Sequence, residues 1–220
     1  MSGLRVRYRT VILDADSTLS AIEGVDWLAE QRGEAVAATV RAQTDAAMRG
    51  ELPLEAVYGA RLRAIAPDRR ALVALADAYI AHLAPGAREV IALGRLAGVR
   101  WIIVSGGLRA ALLPMAAVLG IDTADVHAVD LYGDSNGGYA GFDEASPLAR
   151  AGGKPAVVRA VGAVEGPVLA VGDGSTDAEL RSVVDAFWAY SGFVRRPTVV
   201  AQAAAEVTSF AELWDRMTTD

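Results

Sequence analysis

The spacing of apolar residues changes period along this chain, and each change marks an element. Val11-Ile12-Leu13 predicts a short buried strand, and it runs straight into Asp14-Ala15-Asp16-Ser17-Thr18. A helical period follows. Ser20 is placed to cap a helix carrying Ile22, Val25, Trp27 and Leu28, with Gly33 at its end. A second helix is expected over 34–48, with Gly50 as its stop. A third opens at Pro53 and carries Val57, Leu62 and Ile65; a fourth begins at Pro67-Asp68 and carries Leu72, Leu75, Tyr79 and Ile80. Four helices with no strand between them predict a helical insertion over 20–84, set into a core formed by 1–19 and 85–220. Pro85-Gly86 marks the return.

From there helix and strand alternate. Helices are expected over 88–97, 108–119, 154–161 and 175–184, and strands over 99–104, 125–132, 167–171 and 186–190. Asn136-Gly137-Gly138 signals a hairpin whose return is Tyr139 to Phe142. The tail reads as 197–204, 206–208 and 209–217. Alternation of this kind predicts an α/β fold: a doubly wound, mostly parallel Rossmann-like sheet with a small helical insertion after the first strand.

Composition narrows the classes. With 220 residues and 53% hydrophobic content the chain can bury a sizeable core and is too apolar to be disordered. A formal charge of −6 argues against nucleic acid or an acidic membrane surface as a partner. The absence of cysteine excludes disulfides, thiolate nucleophiles and cysteine metal sites. The apolar run before Asp14 is only Val11 to Leu13, shorter than a signal peptide needs, and no run is long enough to cross a bilayer. A cytoplasmic protein is expected. Oligomeric state is not written in the sequence, and a homodimer stays open.

The chemistry starts at the end of the first strand. Asp14 and Asp16 are two apart, so their side chains leave a strand on the same face. Carboxylates that close repel, which favours a bound cation or a shared proton. Phosphoryl transfer uses such a pair: Asp14 as the nucleophile carrying an aspartyl-phosphate, Asp16 as acid and then base, and a magnesium ion neutralising charge.

In a parallel sheet, ligands sit at the carboxyl ends of the strands. The other strand ends should then hold matching groups. Ser105-Gly106-Gly107 offers a hydroxyl and bare amides for an oxyanion, and lacks the Gly-x-Ser-x-Gly frame of a serine nucleophile. Gly152-Gly153-Lys154-Pro155 puts a cation at a helix start, a place that favours one only if an anion lies in front of it. Gly172-Asp173-Gly174-Ser175-Thr176-Asp177 lacks the third glycine of a dinucleotide loop. Asp173 suits a hard cation, with Asp177 and Thr176 behind it, ordering metal-bound water or Lys154. Read singly, each of these is an ordinary capped turn. Their joint occurrence in one α/β chain is what points to a site.

These four motifs, in this order, resemble those of the haloacid dehalogenase superfamily, and within it the phosphoserine phosphatases. Glu23-Gly24-Val25-Asp26, 139–144 and Gly192-Phe193-Val194 are also similar to those enzymes. The resemblance implies Mg²⁺-dependent hydrolysis of O-phospho-L-serine, a small phosphomonoester, with the helical insertion as a cap over the site. It implies catalytic roles for Asp14, Asp16, Ser105 and Lys154. Ser105, Gly106, Gly107 and Lys154 would hold the phosphoryl oxygens, and Asp14, the Asp16 backbone carbonyl and Asp173 the metal. Glu23 would read the substrate amine and Arg61 its carboxylate, with Met48 and Leu54 as apolar walls. Related readings are another small phosphomonoester, transfer to an alcohol such as homoserine, a phospho-accepting signalling domain, or a dinucleotide module. His82, His127 and the four tryptophans read as structural, and Arg195 and Arg196 as solvated tail charges.

Overall fold

The computed structural model describes residues 5–48, 54–162 and 164–219. A two-residue strand, β1 (Arg5–Val6), precedes β2 (Thr10–Leu13), which is buried along its whole length. Among the described residues four helices follow without a strand between them: α1 (Gly24–Gln31), α2 (Glu34–Met48), α3 (Leu54–Ile65) and α4 (Arg69–Ala81). Helix and strand then alternate through α5 (Ala87–Leu96), β3 (Arg100–Leu108), α6 (Arg109–Leu119) and β4 (Val126–Val129). A hairpin comes next, β5 (Leu131–Gly133) and β6 (Tyr139–Phe142). After it come α7 (Gly153–Ala160), β7 (Val168–Gly172), α8 (Ser175–Ala178) and β8 (Ala186–Tyr190). The chain closes with α9 (Pro197–Val200), β9 (Ala205–Val207), α10 (Phe210–Met217) and β10 (Thr218–Thr219).

The main sheet has six strands in the order β4-β3-β2-β7-β8-β9, and every neighbouring pair is parallel. The chain leaves β2 toward β3 and β4, then returns to pair β7 on the other side of β2. Strand order therefore reverses at β2, which opens a crevice at its carboxyl end. Register levels the three central strands there, since Leu13 pairs with both Ile103 and Val171. Asp14, Ser105 and Asp173 all follow within two residues of that level.

The four helices after β2 are not packed on one another alone. α4 lies along α6, and Leu75, Ala76 and Tyr79 join the same buried cluster as the sheet. The hairpin also touches the insertion: Phe142 packs on Tyr58 of α3 with ring centroids 5.4 Å apart and planes tilted by 56°. Among the described residues no helix is long and apolar enough to cross a membrane.

Several local expectations give way to tertiary demands. Ser20 does not cap α1, which starts at Gly24; its hydroxyl instead donates to the carbonyls of Tyr79 and His82 and ties the end of α4 to the segment that leads into the insertion. α4 starts where Pro67-Asp68 places it, and Asp68 caps it, accepting from the Ala71 N–H. β3 runs on through Ser105, Gly106 and Gly107 to Leu108, so those residues extend a strand rather than open a helix. The segment 125–132 breaks at Asp130 into two strands that join different sheets. The stretch 175–184 holds one helical turn followed by 3₁₀ geometry, and 197–204 holds only α9. β1 pairs antiparallel with β10, a contact between the two ends of the chain that no local pattern announces. Gly50 and Pro53 lie outside the described residues.

Candidate active site

β2 runs straight into a buried carboxylate, Asp14. The Asp14 N–H donates to the Val171 carbonyl of β7, which holds the first residue past the strand in line. Its Oδ1 accepts from the Ala15 N–H at 2.8 Å and faces Lys154 Nζ at 2.9 Å. Lys154 comes from the first turn of α7, is only 5% exposed, and reaches Asp177 Oδ1 at 2.6 Å. The other Asp177 oxygen accepts from the Gly174 N–H at 2.9 Å. The lysine thus bridges two carboxylates from different strand ends. Burial alone would pull its pKa down. The charges of Asp14 and Asp177, and their hydrogen bonds, outweigh that and hold it above the ordinary lysine range.

Asp16 sits one turn away. Its Oδ1 accepts from the Tyr79 hydroxyl at 2.5 Å and from the Gly24 N–H at 3.1 Å. Its pKa is pushed up to about 8, first by burial and then by the charges of Glu23 and Asp14, while the two donors pull the other way. A carboxyl that keeps its proton at neutral pH is suited to protonating a leaving group. Ser105 is fully buried, and its Oγ accepts from the Gly107 N–H at 3.0 Å. Asp173 accepts from the Thr18 hydroxyl at 3.2 Å.

These groups open into one cavity of about 370 Å³, which Asp14, Asp16, Glu23, Arg61, Ser105 and Lys154 line together with Asp173 and Thr176. Gly106 also reaches the wall, and its carbonyl accepts from the Tyr58 hydroxyl at 2.8 Å. Gly107 is not brought to the wall. Its N–H is turned onto Ser105 Oγ, so it orients that hydroxyl instead of facing a ligand. Asp177 is buried behind Lys154. Arg61 stands over the Tyr58 ring, 5.8 Å from its centroid. The side chains of Met48 and Leu54 lie outside the described residues.

Arg196 is the residue the sequence misassigned. It is not a solvated tail charge: its guanidinium pairs with Asp173 and lies 3.6 Å from Glu23. It arrives on the loop after β8, the same end of the sheet as the other groups, which was the one available signal. Arg195 does pair at the surface, with Glu206 at 2.8 Å. Glu23 also accepts from Ser17 at 2.6 Å.

The donor set fits a hard cation. Asp14, Asp173 and Asp177 each offer an oxygen, all three atoms lie within 4.8 Å of one another, and all three residues are buried. The cavity carries more carboxylates than cations, and oxygen-only ligands suit a divalent ion of the calcium and magnesium type. A guanidinium drawn onto Asp173 shows the same demand for positive charge.

A parallel sheet that converges aspartates, a buried lysine and a buried serine at its reversal point defines a hydrolytic α/β enzyme run by carboxylates. The chain belongs to the haloacid dehalogenase-like hydrolases, whose family model matches residues 11–181. Phosphatases of this family use a divalent metal ion, and the acidic cluster offers a place for one. The chain is 38% identical over 205 residues to phosphoserine phosphatase of Mus musculus, covering 92% of this chain and 90% of that one. It is 34% identical over 207 residues to the chloroplastic phosphoserine phosphatase of Arabidopsis thaliana, covering 92% and 70%. Among solved structures it superposes on a phosphoserine phosphohydrolase-like protein from Francisella tularensis with a TM-score of 0.84 at 26% identity, over 95% of this chain and 99% of that one.

Proposed function

We propose that this chain hydrolyses O-phospho-L-serine to L-serine and phosphate through an aspartyl-phosphate on Asp14, with Mg²⁺ as its metal. The observation that carries this reading is Lys154 held 2.9 Å from Asp14, in a cavity that Asp16 also lines. An Asp14 oxygen attacks phosphorus, and the bond from phosphorus to the seryl oxygen breaks. Asp16 gives its proton to that oxygen. Asp16, now a carboxylate, takes a proton from the water that attacks next, and the bond from phosphorus to Asp14 breaks. Lys154 and Ser105, with the backbone at Gly106, hold the phosphoryl oxygens where charge develops.

When bound, the metal neutralises charge on the phosphoryl group; Asp14, Asp173 and the Asp16 carbonyl would hold it, with Asp177 and Thr176 in support. Arg61 takes the substrate carboxylate, and Glu23 takes the ammonium. Residues 20–84 act as a cap over a core of 1–19 and 85–220, and closure excludes water from the reaction. A cytoplasmic location suits this chemistry, and a homodimer is compatible with it.

The test is phosphate release with Mg²⁺ from phosphoserine, phosphothreonine, phosphocholine and p-nitrophenyl phosphate, with chelator as the control. The highest kcat/KM on phosphoserine supports the assignment. Equal turnover of all four, or none of phosphoserine, refutes it.

A further inference from the structure

An acid that serves the leaving group has to aim one oxygen at it, and nothing in β2 fixes how the Asp16 carboxyl is turned. The residue lies past the strand end, in a turn whose next member, Ser17, has a φ of +49°. Two donors set the rotation, and both act on the same oxygen. Tyr79 Oη donates to Oδ1 at 2.5 Å, and the Gly24 N–H donates to it at 3.1 Å. Both donors belong to the helical insertion. Gly24 is the first residue of α1, and Tyr79 is on the last turn of α4 with its side chain fully buried.

The arrangement is sterically committed as well. A Cβ at position 24 would run into the Tyr79 hydroxyl, so the absence of a side chain at Gly24 is what gives that hydroxyl its place. The Tyr79 backbone is held too, its carbonyl accepting from Ser20 Oγ at 3.1 Å. Gly107, which orients Ser105, lies against the same hydroxyl: a Cβ there would stand 3.4 Å from it. A buried tyrosine hydroxyl is seldom left without a partner. Here the partner is the carboxyl assigned as the leaving-group acid.

We propose that Tyr79 is a positioning residue for the leaving-group acid: with the Gly24 N–H it locks Asp16 Oδ1, so that Oδ2 carries the proton toward the departing oxygen. The proposal rests on the assignment of Asp16 as acid. It also gives the insertion a function beyond covering the site, because seating α1 and α4 is what aims the acid.

The test uses leaving groups that differ in their need for a proton. Departure of a seryl oxygen needs one, and departure of 2,4-dinitrophenolate does not. kcat/KM reads only as far as transfer to Asp14, so water attack does not enter. Tyr79→Phe should lower kcat/KM on phosphoserine by roughly 10- to 100-fold, part of the 10²–10⁴ that general acid catalysis supplies. On 2,4-dinitrophenyl phosphate the same variant should stay within about twofold of wild type, since the contribution at stake is confined to proton transfer. Gly24→Ala, which displaces the same hydroxyl, should reproduce the selective loss, and gives the readout if Tyr79→Phe does not fold. Adding Tyr79→Phe to Gly24→Ala should cost nothing more. Equal losses on both esters, or no loss on phosphoserine, overturn the role of Tyr79. Asp16→Asn is assayed beside them. If it loses both esters equally, the acid assignment fails and takes this proposal with it; if it loses phosphoserine alone while Tyr79→Phe does not, only Tyr79 is refuted.

Discussion

Replacing Lys154 with methionine keeps the apolar stem and removes one positive charge from between two carboxylates. Its Nζ lies 2.9 Å from Asp14 and 2.6 Å from Asp177, and all three residues are buried. Removing one partner of a buried pair costs about 3–5 kcal/mol, because the charges left behind have neither water nor a counter-ion. A domain of 150–250 residues loses about 2–4 °C of melting temperature per kcal/mol, so the metal-free variant should melt roughly 6–20 °C lower. A divalent cation should restore more stability to the variant than to wild type, since it brings charge to the same carboxylates. Activity should fall by about 10²–10³ from the lost oxyanion partner and should not return with metal. The assay is thermal melting in chelator and across a Mg²⁺ titration, for wild type, Lys154→Met, Asp177→Asn and the double variant. The double variant should lose less than the sum of the singles, by about 0.5–3 kcal/mol. Unchanged melting of Lys154→Met, or strict additivity, would refute the claim that this ammonium neutralises both aspartates.

Arg61→Ala should raise KM for phosphoserine roughly 10- to 150-fold, the equivalent of one charge-assisted contact worth about 1.5–3 kcal/mol, and leave p-nitrophenyl phosphate almost untouched; equal effects on both would mean Arg61 reads no carboxylate. The raised Asp16 pKa, about 8 against an ordinary 3.8, means that the folded chain keeps a proton the unfolded chain has given up. Its stabilising contribution is complete below about pH 4 and is lost as pH rises toward 8, by up to about 1.4 kcal/mol per unit. Melting of chelated protein should therefore fall between about pH 5 and 8, and less steeply in Asp16→Asn; the same slope in both proteins would contradict the sign.

The part of the site that could be read in advance consists of residues whose neighbours in sequence are also their reason. Asp14 and Asp16 follow an apolar run, and Asp173 and Lys154 stand beside glycines at a strand end and a helix start. A parallel sheet sends all such ends to one side, which is why those groups meet. Tyr79 carried no comparable mark. It sits in an apolar helical stripe with Leu72, Leu75, Ala76 and Ile80, and period alone assigns it to the core. It is in the core, yet its hydroxyl reaches a residue 63 positions earlier. Arg196 was missed for the same reason: its partners, Glu23 and Asp173, lie on other elements. The strand–helix boundary at Ser105 was misplaced because two glycines resemble a turn; here Gly106 and Gly107 let the chain run extended to Leu108 and bring the Gly107 N–H onto the Ser105 hydroxyl.

The most direct test of the central claim is to find the phosphoryl group on the protein. Enzyme turning over phosphoserine with Mg²⁺ is quenched in acid, digested and examined by mass spectrometry. The account predicts a phosphoryl group on the peptide that holds Asp14, released by hydroxylamine and by base, absent from the Asp14→Asn variant, which stays folded and inactive. Phosphate on Ser105, or near-normal turnover by Asp14→Asn, would contradict it.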